Sequence, residues 1–174
     1  MSTLHSSVSM YHASVPVFRQ MLLALSDVLG KAAAYAEARK VDQAVLLQSR
    51  LALDMFPLVR QVQIACDFAK SVPARLTAVE VPAYDDSEQD IAGLQARIAS
   101  TVAILDGLSE AQFEGSEALQ IVLRPGTPKE KTLTGRTYLL NYGLPQFFFH
   151  VTTAYNLLRH NGVEIGKKDY MGSY

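Results

Sequence analysis

The chain has 174 residues, enough for one core that buries roughly 70% of its unfolded surface without staples. Sixteen basic and seventeen acidic residues leave a net charge of −1, and neither sign gathers into a long run, which argues against a nucleic-acid partner or an anionic membrane surface. One cysteine, Cys66, excludes an intrachain disulfide and a cysteine-based zinc cluster; with no basic, apolar leader at the start and no run of about 18 apolar residues, a single cytoplasmic domain over residues 1–174 is expected, without membrane contact.

In chain order, a first helix is marked by Val15, Phe18, Leu22, Leu25, Leu29, Ala32 and Ala36, which recur at alternating spacings of three and four, with Ser14 and Pro16 as start signals. Asp42 then caps one or two extra turns. A second helix follows from Asp54 as N-cap, its stripe being Met55, Leu58, Val62, Ala65, Ala69, Val72 and Leu76. On it Gln61 flanks the apolar stripe, as does Asp54, whereas Arg60, Gln63 and Asp67 are expected on the outer face. Pro82 sets a loop, because its ring cannot continue a helix. The acids of "DDSEQD" suit the start of a third helix, carried by Ile91, Leu94, Ile98, Thr101, Leu105 and Leu108.

Between the third and fourth helices, "SEALQIVLRPGTPKEKTLTG" has β-branched residues flanking a Pro-Gly-Thr-Pro turn and predicts a small β-hairpin. A lone hairpin is marginal in water, so it must pack on the helices. The fourth helix is expected from about Thr137 to Asn161, with Leu140, Leu144, Phe147, His150, Ala154 and Leu157 facing the core. Pro145 falls inside it and predicts a kink or a restart, since it removes a backbone hydrogen bond and crowds the Asn141 carbonyl. Of "FFF", Phe147 is core; Phe148 and Phe149 point elsewhere, toward a second buried side or a dimer contact. The tail after Gly162 shows little pattern. Four amphipathic stripes sharing one core predict an all-α four-helix bundle with a small hairpin.

Signatures for nucleotide binding, serine hydrolysis, HExxH metal binding and paired CxxC are absent. What remains is polar groups on apolar faces. His150 lies on the core stripe of the fourth helix; His160, ten residues on, is rotated by roughly 80° and displaced by about 15 Å, so the two cannot share one metal ion on a straight helix. A buried histidine needs partners for both ring nitrogens, and Gln61 or Asp54 could reach it across the bundle. A satisfied His150–Gln61 core pair and a small-ligand or metal pocket between helices are both open at this stage. Cys66 is expected to act as a small hydrophobe, and Arg159 and His160 to complement the helix dipole. His5 and His12 receive no role.

The stretches "SMYHASVPVFRQML", "LALDMFPLVRQVQIACDFAK" and "FFFHVTTAYNLLRHNGVEIGK" resemble an uncharacterised bacterial domain-of-unknown-function family, a branch of the DinB/YfiT-like four-helix superfamily. The resemblance covers nearly the whole chain. It implies an up-down-down-up bundle and a homodimer, in a superfamily many of whose members are metalloenzymes, some of them thiol-dependent transferases. It also implies a metal held by one helix-two histidine and an HxxxH pair near the end of the last long helix. Carried over, His160 takes the last of these positions, Asn156 the one before it, and Gln61 the helix-two position. Neutral amides replace two imidazoles, which disfavours a divalent metal cofactor.

Three readings follow. The first is a small-molecule-binding protein with a degenerate or absent metal site, its interhelical pocket lined by His150, Gln61, Asp54 and Tyr155. The second is a metal-dependent transferase or hydrolase built on His160. The third is a structural or interaction homodimer without chemistry.

Overall fold

A computed structural model describes residues 8–174, so His5 lies outside the described residues. Four long helices form a ring: α1 (Val15–Arg39) neighbours α4 (Ile91–Asp106) and α6 (Leu144–His160), α3 (Leu58–Leu76) neighbours the same two, and α1 and α3 meet only across the diagonal. Cross-contacts set the directions. Arg19 pairs with Asp106 and Gln95 bonds to the Ser26 carbonyl, so α1 and α4 are antiparallel. Gln61 meets His150 and Arg75 meets Tyr138, so α3 also runs against the last helical stretch. Phe18 packs edge-on against Phe147 and Tyr35 donates to the Asn161 carbonyl, so α1 and α6 are parallel. The helices therefore run up, down, down, up, as the resemblance implied.

Local chemistry explains most boundaries. Asp42 accepts from the Ala44 N–H and starts the short α2 (Gln43–Leu47), and Asp90 accepts from the Gly93 N–H at the start of α4. The second long helix begins later than the stripe implied. Phe56 precedes Pro57, and a residue before proline is pushed away from helical angles, so Pro57 becomes the N-cap and Asp54 and Met55 stay in the preceding turns.

β1 (Gln120–Leu123) and β2 (Lys131–Thr134) form the expected antiparallel hairpin, with Ile121 opposite Leu133. Ile121 is buried, and Leu123 and Leu133 pack on the core. A short α5 (Gly135–Thr137) leads straight into a π-helical turn over Tyr138–Gly143, which passes into α6. The Leu144 N–H reaches back to the Leu139 carbonyl, and this wide turn accommodates Pro145 in the first turn of α6. It also corrects one expected core position. The wide turn shifts the helical register, so Tyr138 and Leu139 are buried whereas Leu140 is exposed.

The tail is ordered more than its pattern implied. Val163 and Ile165 are buried, and α7 (Lys167–Met171) docks on α1 through Lys31–Asp169 and Gln20 to the Met171 carbonyl. Among the described residues no helix is long and apolar enough to cross a membrane.

Candidate functional site

His150 and Gln61 do meet. The ring Nδ1 lies 2.7 Å from Gln61 Oε1, and the Gln61 amide nitrogen donates to the Phe56 carbonyl at 3.0 Å. That second bond orients the amide, so its oxygen faces the ring and Nδ1–H must donate. Phe68 stacks on the imidazole at 6.2 Å between centroids and Phe149 meets it edge-on at 5.2 Å. Burial, with the Arg60 charge second, pushes the imidazole down to about 4 from 6.5. This is a neutral, packed, hydrogen-bonded histidine.

The other residues expected around it are elsewhere. Asp54 is exposed in the turn before α3, because the helix starts at Leu58 and not at residue 54. Tyr155 packs edge-on against Tyr170 of α7, on the side facing α1. Five residues beyond His150, it is rotated by roughly 140° around the helix. His12 is exposed beside Ser9 and Glu110.

The positions carried over for a metal do not fit one. α6 runs against α3, so Asn156 and His160 lie about 9 and 15 Å beyond His150 along the axis, past the start of α3. Both are exposed, whereas Gln61 is buried with its amide oxygen and nitrogen both engaged. Among the described residues no three His, Cys, Asp or Glu side chains gather as a metal-binding group.

Of the residues expected on the outer face, Arg60 and Gln63 instead meet the loop between α3 and α4, and Asp67 meets Arg97 of α4. Arg97 of α4 is buried and binds Asp67 at 2.9 Å, Asp86 at 3.0 Å, Glu88 at 3.0 Å and the Asp85 carbonyl at 3.2 Å. Lys70 reaches Asp67 and the Pro82 carbonyl, Arg60 pairs with Asp86, and Gln63 donates to Glu88. The Tyr84 ring lies under both Lys70 and Arg97. Burial raises the Glu88 carboxyl, but hydrogen bonds from Gln63 and Arg97 outweigh it and hold the group below its usual value. Three cations thus meet three carboxylates and tie the loop down. Cys66, beneath this network, is fully buried; desolvation pushes its thiol up to about 12 despite a Thr101 hydrogen bond, which leaves no nucleophile at neutral pH.

Open space lies on the other side of Phe68. A cleft of about 230 Å³ is bounded by α3, the hairpin and the π-helical turn. Phe68 and Tyr142, with centroids 5.9 Å apart, supply aromatic wall. Ser71, Arg75, Arg124 and Asp67 supply polar groups, and Val122 and Leu123 the floor. Each comes from an identifiable device. One α3 face carries Asp67, Ser71 and Arg75 at four-residue spacing. The π-helical turn presents Tyr142, while Gly143 lets the two helices approach, since a Cβ there would lie 2.8 Å from Val72 Cγ2. Arg124 sits at the hairpin turn with φ 51°, its carbonyl accepting from the Thr127 N–H and hydroxyl.

Sequence reasoning missed this cleft. Its signals were Asp67, read as facing outward, with Ser71 and Arg75 following it at four-residue spacing, and the basic turn "RPGTPKEK" read only as a hairpin. A larger recess, about 930 Å³, is rimmed by Val8 and Ser9, where the described chain begins, and offers a single aromatic ring, Phe113. The smaller cleft has the better-defined chemistry.

A family model described as a domain of unknown function (DUF1993) matches residues 10–171. A crystal structure of a DinB family member protein from Shewanella denitrificans is 49% identical, with a TM-score of 0.90 over 95% of this chain and 93% of that one. Comparison with curated proteins gives no match. The chain belongs to the DUF1993 family and has the DinB-like fold.

Proposed function

We propose that this DUF1993 chain is a cytoplasmic small-molecule-binding protein whose ligand seats in the cleft between α3, the hairpin and the π-helical turn. The observation that carries the reading is the convergence of two aromatic rings, Phe68 and Tyr142, with Ser71, Arg75 and Arg124 on about 230 Å³ of open space. Small-molecule sites combine concave, largely apolar walls with a few placed polar groups, and π-helical turns concentrate at functional sites. The volume lies below the common range of about 300–1,000 Å³, so this cleft by itself holds a small molecule or one part of a longer one. His150 acts behind this wall, holding Phe68 by stacking. Recognition rests on these side chains and not on Gln61, Asn156 and His160 as metal ligands.

The test is a thermal-shift screen of a metabolite panel on the wild type and on Val122→Trp, an exposed floor position whose indole would fill the cleft. The reading expects at least one compound to raise the melting temperature of the wild type alone. Equal shifts in both proteins, or none in the wild type, would contradict it.

A homodimer is the second reading, favoured by exposed apolar side chains around the His150–Gln61 end. Leu53 is 99% exposed, and Phe56 and Phe149 are each 54% exposed. Sedimentation velocity should give twice the chain mass, reduced to the monomer by Leu53→Asp with Phe149→Asp. A wild-type monomer at micromolar concentration overturns it.

A further inference from the structure

We infer that the ligand of this cleft is an elongated organic dianion, with a flat apolar body and an acidic group toward each end; the inference rests on the small-molecule reading above. A second recess of about 190 Å³ adjoins the first and shares Leu123, Arg124 and Tyr142 with it. The pair makes a two-lobed groove around the Tyr142 ring. One lobe carries Arg75 and the other Lys129 and Lys131, with Arg124 common to both.

Cations outnumber acids on the lining of this groove. Among the described residues Arg75, Arg124, Lys129 and Lys131 form no ion pair, as also holds for Arg39, Lys40, Arg50, Arg136, Arg159, Lys167 and Lys168; what sets the four apart is that they line one groove. Arg75 spends one N–H on the Tyr138 hydroxyl and keeps its remaining donors. Two acids lie close by. Glu130 accepts from the Gly126 N–H, closing the turn, and Asp67, the one acid on the lining, has Oδ1 occupied by both Lys70 and Arg97.

Four cations lining one groove against a single lining acid, Asp67, favour negative charge there. A single small anion would use one lobe. Cations in both lobes, with apolar Leu123 and aromatic Tyr142 between them, match acids separated by a flat spacer. Guanidinium forks bind carboxylate and phosphate in a bidentate way, so both acid types fit the arginine lobe. The lysine lobe offers point charges and is less selective in geometry.

Calorimetric titration of the full chain with matched probes tests this. Benzene-1,4-dicarboxylate is the dianion with a flat body, benzoate the monoanion, benzamide the neutral analogue, and glutarate a dianion without a ring. Benzene-1,4-dicarboxylate should bind about tenfold or more tighter than benzamide and more tightly than either benzoate or glutarate, and should weaken as salt rises from about 20 to 200 mM. Arg124→Met should cost about tenfold for both aromatic acids. Lys129→Met with Lys131→Met should cost benzene-1,4-dicarboxylate about tenfold and benzoate less, so that the preference for the dianion narrows. These lysines are exposed, so the double variant is expected to fold. Benzamide binding as tightly as the dianion, or basic-residue variants without effect, would overturn the inference. If binding of neutral probes is still abolished by Val122→Trp, the cleft stands as a site and only the assignment of ligand charge falls.

Discussion

His150 donates its Nδ1 proton to Gln61 Oε1 across 2.7 Å, and Gln61 is itself fixed by the Phe56 carbonyl. The pair links the middle of α6 to the first turns of α3 and fixes the imidazole face on which Phe68 stacks. Its neutral state has a consequence for stability.

The folded imidazole is pushed down to about 4, while in the unfolded chain it titrates near 6.5. Between those values the unfolded state binds a proton that the folded state does not, so stability must fall as pH drops from 6.5 toward 4 and must be level with respect to this group above 6.5. The loss is about 2–3 kcal/mol. Urea midpoints at stepped pH should show this slope in the wild type and a flatter one in His150→Gln. The Glu88 contribution belongs to a lower window, below about pH 4.5, because its folded carboxyl is held below its usual value. An identical slope in the variant between pH 6.5 and 5 would refute the assignment.

Arg97→Met should be among the most damaging substitutions, at about 3–5 kcal/mol, because it leaves Asp67 and Glu88 without their buried partner. Glu88→Gln keeps a hydrogen-bonding group and should cost about 1 kcal/mol. Urea denaturation of the two single variants and the double should show strong non-additivity. Additive costs would mean that the two side chains are not coupled.

One glycine, Gly135, is fixed by backbone approach. A Cβ on Gly135 would lie 1.9 Å from the Ser116 carbonyl oxygen, so Gly135→Ala should lose about 3 kcal/mol. Gly166 has open space at the same position, and Gly166→Ala should be nearly neutral. Denaturant midpoints separate the pair, and equal effects would contradict the packing described at Gly135.

Cys66 should resist alkylation by iodoacetamide at about pH 8 in the folded protein, since it is fully buried and its thiol lies near 12. Mass spectrometry should find the adduct only as urea unfolds the chain. Rapid labelling in native buffer would show that the α3–α4 seam opens.

The apolar stripes made most of the fold legible. Three-and-four spacing located all four long helices, the Pro-Gly-Thr-Pro turn located the hairpin, and helical geometry separated His150 from His160. Failures came where another constraint overrode periodicity. Pro57 delayed α3 and left Asp54 in a turn, and the π-helical turn moved the core from Leu140 to Tyr138 and Leu139. The His150–Gln61 pair was legible because each residue broke the apolar pattern on its own helix. The cleft was not, since Asp67, Ser71 and Arg75 look like a solvated face until the hairpin folds against them. The buried ion network was hidden for the same reason: acids in a loop reveal no partner until the loop lies across α3 and α4.

Amide chemical-shift mapping with the compound that most raises the melting temperature tests the central claim most directly. The account predicts the largest perturbations at Phe68, Ser71, Arg124 and Tyr142, and their loss in Val122→Trp. Perturbations centred on His150 and Gln61, or on the Asn156–His160 end of α6, and unaffected by Val122→Trp, would contradict it.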